Sequence, residues 1–373
     1  MRILQVVTLL DPDGAYGGPA RVALNQSMEL IRRGHEVTLG AGARGFPVVP
    51  TRLNDVPVKL FTVRTVVPRT GFAGVGAPGL QRWFHRNRTR FDVVHIHFGR
   101  DLVVLPLAVS ARHHGILYVL QPHGMVTPSD HPLAGPLDAL WTRKVLRDAG
   151  AVFHLTALEK DQLATVARTS LPFVQLGNGV PCYPPGRPSA EPPEVLFVAR
   201  MHPRKRPTAF VEMAEVLLSA GMDARFTLVG PDEGEGPALR AMLAAEADPR
   251  ISWEGALDPD DVPRRMAAAT VYVLPSVREP YPMSVLEAMS VGVPVVVTRD
   301  CGLAPTIERT GSGIVTEPAV PALVTAVESL LADRSLARAM GERGRRAVRT
   351  DLGMHAVGDR LLDTYTDVAG SER

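Results

Sequence analysis

This sequence has few cysteines, almost no net charge and no long apolar run, and each of these features argues against a class of protein. The 373 residues include only two cysteines, Cys182 and Cys301, which cannot build a disulfide framework or a cysteine-rich zinc site. Lysine and arginine number 41 against 39 aspartates and glutamates, so bulk charge gives no reason to expect a nucleic-acid partner. The longest uncharged apolar stretch, residues 102–111, is too short to cross a bilayer. We therefore expect a cytoplasmic protein with free thiols.

Short apolar runs alternate with amphipathic segments along the whole chain. Glycine and proline, 33 of each, supply the turns between them. The apolar runs lie at residues 2–8, 35–41, 91–97, 116–121 and 151–155, and again at 195–200, 225–230, 251–255, 271–275 and 293–298. Runs that are apolar on both faces predict parallel strands covered by helices on both sides. We therefore predict an α/β fold with two doubly wound, Rossmann-like domains.

A proline-rich segment separates the two halves of this pattern. Residues 181–193 contain six prolines and no apolar periodicity, which predicts a stiff linker. We place the N-terminal domain at residues 1–180 and the C-terminal domain at 194–351, and expect a helix at about 352–368 to pack back on the first domain. Open parallel sheets bind ligands beyond the carboxyl ends of their strands. Two such domains facing each other predict an interdomain cleft.

Two glutamates, Glu279 and Glu287, follow the predicted strand 271–275. The spacing alone is weak evidence, but both lie where a strand-end loop opens a helix. Their carboxylates are suited to accept hydrogen bonds from a ligand rich in hydroxyl groups. The segment SVLE also fits a capping box of Ser284 with Glu287, and Glu279 fits a solvated loop acid equally well.

The loop after the predicted strand 195–199 is basic. It contains Arg200, Arg204, Lys205 and Arg206 just before a predicted helix. Cations at a strand end and a helix N-terminus are well placed to bind phosphate. The alternative is a solvated basic turn.

Glycines follow the first predicted strand. Gly14, Gly17 and Gly18 lie in this predicted loop, where glycine lets the backbone approach a ligand closely. The loop lacks the GxGxxG pattern, so it does not favour a nicotinamide site. A plain tight turn explains the glycines as well.

Histidines occur at two other strand ends. His123 directly follows the run 116–121, and His95 and His97 end the run 91–97, where their spacing puts both on one face. No carboxylate stands at ligand spacing, so these histidines predict no metal site.

Together these segments resemble the family 4 glycosyltransferases, which have the GT-B fold of two Rossmann-like domains. EPYPMSVLEAMSVGVPVVVT resembles the family's donor-site segment, an EX7E motif followed by a helix and a GxPVV strand. VARMHPRKRP resembles its phosphate segment, and LGNGVP resembles its turn at the domain junction. The N-terminal GG loop and the HG after the fourth strand also match. The five segments occur in the order of the family and cover most of the chain.

The resemblance implies a retaining glycosyltransferase that moves a sugar from a nucleotide-diphosphate sugar to a hydroxyl acceptor, with no cofactor and no required divalent metal. The implied catalytic residues are His123, Arg200, Lys205 and Glu279. The expected substrate-binding residues are Gly17, Gly18, His97, Tyr281, Pro282, Met283, Ser284, Val285 and Glu287.

The resemblance also implies a role for each group. Glu279 would hold hydroxyls of the donor sugar, and Glu287 would hold the ribose diol. Arg200 and Lys205 would neutralise the leaving diphosphate, and His123 would contact the donor sugar. The backbone of residues 281–285 would complete the sugar and phosphate pocket, and the two N-terminal glycines would approach the phosphate and the acceptor.

One position departs from the family. Pro282 stands where glycine is usual, and proline has no backbone N–H to donate. The resemblance therefore leaves one sugar contact, and with it the identity of the donor, open.

Other functions and partners also remain open. A catalytically degenerate nucleotide-sugar-binding module and a GT-B-like epimerase are the alternatives to a transferase. The acceptor could be a polysaccharide, a lipid-linked sugar or a small metabolite. Residues 81–90 are basic with interleaved aromatics, so they fit either a peripheral contact with the inner face of a membrane or an exposed helix end. The bias towards Ala, Arg, Gly and Pro indicates a bacterial source.

Overall fold

Parallel strands alternate with helices through the residues that the computed structural model describes, which are 1–12, 17–68, 71–186, 192–246 and 248–370. These residues divide into two units. Unit 1 consists of Met1–Gly179 with Met354–Arg373, and unit 2 consists of Val180–Gly353. The predicted α/β class with two Rossmann-like sheets is confirmed, one sheet in each unit.

Unit 1 is built from short strands and the helices that connect them. Its strands are β1 Arg2–Leu10, β2 Glu36–Ala43, β3 Arg52–Leu53, β4 Val56–Thr62, β5 Arg64–Thr65, β6 Val75–Gly76, β7 Val93–His97, β8 Tyr118–Gln121, β9 Ala151–His154 and β10 Phe173–Gln175. Its helices before unit 2 are α1 Gly17–Arg32, α2 Pro78–Asn87, α3 Val104–His113, α4 Ala134–Leu137, α5 Arg143–Arg147 and α6 Ala157–Ala167, and a π-helical turn, Asp138–Thr142, joins α4 to α5.

The main sheet of unit 1 is parallel and covered on both faces. Among the described residues its order is β10-β9-β8-β7-β1-β2-β4-β3, with only β3 and β4 antiparallel. Successive residues of β1 face opposite sides, so Leu4 joins the core cluster that includes α2 and α3 while Ile3 joins another. This two-sided burial explains why β1 is an apolar run and not an alternating one.

The last helix of the chain, α14 Met354–Gly370, belongs to unit 1. Its Val357, Leu361 and Tyr365 pack in one cluster with Ile3 and Phe153 of the sheet. A helix in this region was predicted from its amphipathic pattern, at slightly different bounds.

Unit 2 repeats the alternation of strands and helices. Its strands are β11 Glu194–Val198, β12 Arg225–Val229, β13 Ile251–Trp253, β14 Val271–Leu274, β15 Val295–Thr298 and β16 Gly313–Thr316. Its helices are α7 Pro207–Ser219, α8 Gly236–Glu246, α9 Val262–Ala267, α10 Met283–Ser290, α11 Ala304–Thr310, α12 Val320–Ala332 and α13 Arg334–Ala347.

In the described part of unit 2 the strands form one parallel sheet, in the order β13-β12-β11-β14-β15-β16. The strand-end loops are close together at its carboxyl edge. Gly230, just after β12, has φ +143°, and a Cβ on it would lie 1.9 Å from the carbonyl oxygen of Ala199 after β11. Glycine is therefore required there both by conformation and by space.

Two predicted regions differ from the structure. The described part of the predicted linker packs on unit 2, because Tyr183 N–H donates to Ser290 Oγ at 3.2 Å and Gly186 N–H donates to Val291 O at 2.7 Å. Residues 187–191 of that segment lie outside the described residues. The strands β3 to β6, β10 and β16 were not predicted. β3, β5 and β6 have only two residues each, too few to carry a measurable periodicity, and Pro57 interrupts the apolar run of the seven-residue β4.

Candidate functional site

In unit 2, Lys205 and Glu279 form a buried ion pair beyond the carboxyl ends of the neighbouring strands β11 and β14. Lys205 Nζ lies 2.5 Å from Glu279 Oε2, and the two side chains are only 11% and 8% exposed. Arg204 Nε lies 3.7 Å from the same oxygen. Burial lowers the pKa of Lys205 from its ordinary value, while the nearby Glu279 acts to raise it. The interpretation of Glu279 as a solvated loop acid is therefore wrong.

Backbone hydrogen bonds between strand-end loops hold this pair in place. Val277 N–H donates to Arg204 O at 3.0 Å, which ties the loop after β14 to the loop after β11. Gly302 N–H donates to Glu279 O at 2.8 Å, which ties the same loop to the one after β15. Arg206, by contrast, turns its guanidinium to the carbonyls of Pro275 and Pro318, at 3.3 Å and 2.6 Å. Arg206 therefore braces these loops.

The other predicted phosphate-binding cation, Arg200, forms an ion pair with Glu233. Both side chains are close to half exposed. Glu233 lies in the glycine-rich loop after β12, next to β11 in the sheet, and the sequence analysis did not assign it to the site. The contact depends on β11 and β12 being neighbours in the sheet, which the sequence does not show directly.

The segment Tyr281–Glu287 does not form the capping box that SVLE suggests. Helix α10 begins at Met283 with Pro282 as its N-cap, and no side chain of the described residues caps it. Ser284 Oγ lies 2.8 Å from the hydroxyl of buried Tyr272 instead. Glu287 lies in the second turn of α10 and is 4% exposed.

This arrangement explains what the start of α10 offers a ligand. Buried Pro282 and half-buried Met283 place the beginning of the helix next to the loop that carries Glu279. Half-buried Tyr281 precedes them, and buried Val285 packs in the core of unit 2. The N-terminal backbone N–H groups of a helix favour an anion.

In unit 1, three histidine rings stack at the carboxyl edge of the sheet. The His95 and His97 rings are 4.8 Å apart at an interplanar angle of 2°, and those of His97 and His123 are 5.0 Å apart at 4°. The prediction that His95 and His97 share a face is confirmed. Burial lowers the pKa of His95 to about 3 and of His123 to about 4, and lowers that of His97 well below its ordinary value. The stack is therefore uncharged at neutral pH.

Both ring nitrogens of His123 already have protein partners. Nε2 lies 2.7 Å from His97 Nδ1, and Nδ1 lies 3.0 Å from Asn178 Oδ1. Asn178 belongs to the LGNGVP turn. Its side chain was not predicted as a functional group, although the turn itself was.

Glu159 of α6 forms a hydrogen bond with the turn that carries His123. His123 and Gly124 have φ +54° and +74°, which is uncommon for histidine. Glu159 Oε1 accepts the Gly124 N–H at 2.5 Å and Oε2 accepts the Leu155 N–H at 2.7 Å. Thr156 and Glu159 have the spacing of a capping box, but only half of it forms. Thr156 Oγ1 accepts the Glu159 N–H, while the Glu159 carboxylate accepts from the backbone of Gly124 and Leu155.

The N-terminal glycines lie elsewhere than predicted. Gly17 and Gly18 are the first two residues of α1 and not part of a preceding loop. A Cβ at Gly18 would meet no atom of the described residues within 4 Å, so the space beside this glycine does not require it. Gly14 lies outside the described residues.

The basic segment 81–90 has its aromatic side chains turned inward. Phe84 is buried, and the Trp83 ring packs 6.1 Å from Phe61 and 6.0 Å from Phe91. Arginines and histidines alone cover the outer surface of α2 here. This packing favours the exposed helix end over a membrane-inserted segment.

The described residues contain no group of three or more His, Cys, Asp or Glu side chains that could hold a metal ion. Within the same ranges, no helix is both long and apolar enough to cross a membrane.

Both halves of the chain match known protein families. Residues 17–179 match the family "Glycosyl transferase 4-like domain", and residues 185–347 match "Glycosyl transferases group 1". The chain is 28% identical to the 2-deoxystreptamine glucosyltransferase of Streptomyces kanamyceticus over 94% of its own length and 99% of that protein. It is 31% identical to the 2-deoxystreptamine N-acetyl-D-glucosaminyltransferase of Streptomyces fradiae over 86% of its length and 83% of that protein. The crystal structure of HepE from Anabaena in complex with UDP has a TM-score of 0.76 at 18% identity, covering 98% of this chain and all of that one. That likeness shows the GT-B fold.

Proposed function

Because the chain belongs to the glycosyltransferases that combine a 4-like domain with a group 1 domain, we propose that it transfers a sugar with retention of anomeric configuration, without a divalent metal, to a small polyhydroxylated acceptor. Transfer from a nucleotide-sugar donor is the activity of the family. The buried Lys205–Glu279 pair in unit 2 carries the proposal. Its paired charges, buried beyond the ends of β11 and β14, suit a ligand that combines a diphosphate with sugar hydroxyls.

The cations of unit 2 supply the positive charge that a metal would otherwise provide. Lys205 and Arg200 lie after β11, where a diphosphate would meet them together with the N-terminus of α10. Negative charge grows on the leaving diphosphate as the glycosidic bond breaks, and fixed cations stabilise that charge most in a poorly solvated site. Lys205 is the stronger contributor of the two because its side chain is nearly buried.

The glutamates bind the uncharged parts of the donor. Glu279 shares its Oε2 with Lys205, which leaves Oε1 to accept a hydrogen bond from a sugar hydroxyl. We assign the ribose diol to Glu287, whose buried carboxylate lies one turn into α10. Pro282 offers no backbone N–H, so donor sugars that need a hydrogen-bond donor at that position bind less well.

The names of the relatives and the residues of unit 1 support the acceptor class. Two relatives are named for 2-deoxystreptamine, a cyclohexane that bears several hydroxyl and amino groups. We place this acceptor in unit 1, at the turn of His123 and the start of α1 at Gly18. For the turn of His123 we keep the donor-sugar contact that the family resemblance implies. We place the reaction in the cytoplasm, where nucleotide sugars are made.

A substrate matrix tests the proposal directly. Purified protein is mixed with UDP-glucose, UDP-N-acetylglucosamine, GDP-mannose or ADP-glucose and with 2-deoxystreptamine or inositol phosphate, with and without EDTA. Release of the nucleoside diphosphate is measured, and the anomeric proton coupling of the product is read by NMR. We expect turnover with one donor, an unchanged rate in EDTA, and an α-linked product.

Two variants separate the site from general stability. Glu279→Gln should lower kcat/KM by at least about 100-fold, because Lys205 loses its carboxylate partner and the sugar hydroxyl loses a charged acceptor. Glu317→Gln is the matched control, since Glu317 also forms an ion pair in unit 2, with Arg299, but is about half exposed. Full activity of Glu279→Gln, or an inverted product, would overturn the proposal.

A further inference from the structure

A continuous chain of hydrogen bonds crosses unit 1 from β1 to the LGNGVP turn. Gln5 Oε1 lies 2.7 Å from His97 Nε2, His97 Nδ1 lies 2.7 Å from His123 Nε2, and His123 Nδ1 lies 3.0 Å from Asn178 Oδ1. Gln5 and His97 are fully buried and Asn178 is 6% exposed. Each ring nitrogen of the two histidines therefore has a protein partner.

Counting protons fixes the direction of this chain. Three hydrogen bonds link two imidazole rings to an amide at each end. If both amides present oxygen, all three protons come from the rings, and one ring must be an imidazolium. If one amide presents its NH2 group, two neutral rings suffice. A buried imidazolium without a facing carboxylate is disfavoured, so one of the two amides presents NH2.

Asn178 is not the residue whose amide oxygen and NH2 group exchange places by a 180° rotation of the side-chain amide. Its Oδ1 also accepts from Gln121 Nε2 at 3.4 Å, and Gln121 Oε1 accepts in turn from Gln26 Nε2 at 3.0 Å. Turning Asn178 would require both glutamines to turn as well. The oxygen of Asn178 therefore faces His123, which makes Nδ1 of His123 the protonated nitrogen.

Gln5 is the amide that turns. As placed, its Nε2 has no partner among the described residues. Turning the amide brings that NH2 group to His97 Nε2 and leaves an oxygen without a partner, and an unpaired oxygen is the lesser cost of the two. His97 then carries its proton on Nδ1 and donates it to His123 Nε2.

We propose that Asn178 and His97 are positioning residues that lock His123 as the neutral Nδ1–H tautomer, so that His123 supports the turn of the sugar site and takes no part in proton transfer. The role in the sugar site rests on the proposed function. With both ring nitrogens occupied, His123 has no lone pair or N–H left for a substrate.

The other titratable groups around His123 do not change the position of its proton. His95 on β7 is neutral because it is buried, and Tyr365 of α14 lies 2.6 Å from its Nδ1. The Glu159 carboxylate of α6 is engaged by two backbone N–H groups, at Gly124 and Leu155.

Histidine NMR reads the tautomer without reference to activity. The full chain is labelled with 15N-histidine, and the His123 signals are identified as those lost in His123→Gln. We expect a protonated Nδ1 and a bare Nε2 from pH 5 to 8. A protonated Nε2, or two protonated nitrogens at pH 7, would overturn the inference.

Asn178→Asp replaces the amide oxygen at His123 Nδ1 with a carboxylate, which stabilises a positive charge on the His123 ring. A carboxylate at His123 Nδ1 raises the pKa of the ring, so an imidazolium should appear in the NMR spectrum at neutral pH. Its second N–H then collides with that of His97, and kcat should fall about tenfold for each pH unit below the new pKa. Asn54→Asp, the same change in an exposed turn of unit 1, should alter neither the spectrum nor the pH profile.

The outcomes separate this inference from the proposed function. Absence of nucleotide-sugar turnover in the wild type contradicts the proposed function, while the NMR spectrum still decides the tautomer. An imidazolium in Asn178→Asp with an unchanged pH profile of kcat would overturn the positioning role. Should Asn178→Asp fold poorly, Asn178→Ala provides the second variant, and there we expect the His123 tautomers to become mixed.

Discussion

Glu159 holds the backbone of Gly124 from a distance of 35 residues along the chain: its Oε1 accepts the Gly124 N–H at 2.5 Å. The other carboxylate oxygen accepts from Leu155, so one side chain fixes both the end of β9 and the turn after β8. The Glu159 carboxylate therefore connects the ends of the adjacent strands β8 and β9 at the His123 turn.

The first prediction concerns this anchor. Glu159→Gln replaces one accepting oxygen with an NH2 group that faces a backbone N–H. We expect the free energy of unfolding to fall by about 2 kcal/mol and kcat to fall more than the donor affinity, because the turn loses its support. Chemical denaturation and steady-state kinetics measure the two effects. Glu36→Gln, at the exposed start of β2, is the control, and equal losses in both variants would contradict the prediction.

The second prediction is a pH dependence of nucleotide binding. Burial lowers the pKa of Lys205 below the ordinary value of 10.5, although Glu279 opposes the shift. Phosphate binding requires the charged form, so affinity for the nucleoside diphosphate should weaken as pH rises, starting below the range in which an exposed lysine titrates. Calorimetric titrations from pH 7 to 10 test this. Lys205→Arg keeps its charge throughout and should show a flat profile, so a decline of equal size in that variant would argue against Lys205.

The third prediction concerns Gly230. Gly230→Ala places a Cβ 1.9 Å from the Ala199 carbonyl oxygen at φ +143°, so we expect a loss of more than about 3 kcal/mol of stability. Gly221→Ala is the control, because its φ is also positive, +85°, but nothing lies within 4 Å. That variant should lose only about 1 kcal/mol. Similar unfolding midpoints for the two variants would show that the close approach of the loops does not matter.

The fourth prediction concerns acid stability. Burial acts to raise the pKa of Glu194, but hydrogen bonds from Arg265 and Thr227 prevail and lower it below 4.5. A lowered folded-state pKa means that the pair stabilises the fold fully above pH 4.5, and that this contribution disappears as pH falls through the folded-state value. Glu194→Gln should therefore be less stable than the wild type at pH 7, with the difference shrinking below pH 4.5. A difference that stays constant from pH 7 to pH 3 would contradict this.

Local patterns in the sequence predict much of the fold and part of the site. Apolar runs located the strands because both faces of a covered parallel sheet are apolar, as in β7. The positions of Lys205 and Glu279 after strands were predictable for the same reason. Their direct contact was not, because it depends on β11 and β14 being neighbours in the sheet.

Interactions between distant residues account for the misses. Thr156 and Glu159 have the spacing of a capping box, yet the carboxylate turns to a backbone N–H that only the folded sheet brings near. Ser284 and Glu287 have the same spacing, but the Ser284 hydroxyl forms a hydrogen bond with the Tyr272 hydroxyl instead of capping the helix. Arg200 with Glu233, and His123 with Asn178, are likewise set by strand order and not by spacing.

Helix α14 also bears on how the protein is made. A ribosome completes every residue of unit 2 before it adds Met354–Gly370, yet this helix fills a face of the sheet that β1 began. During synthesis the first unit therefore lacks α14, and the surface against which Tyr365 packs stays exposed. The second unit is synthesised as one uninterrupted segment and can fold before α14 is made. A premature stop codon after unit 2 would therefore damage the half of the protein that was synthesised first.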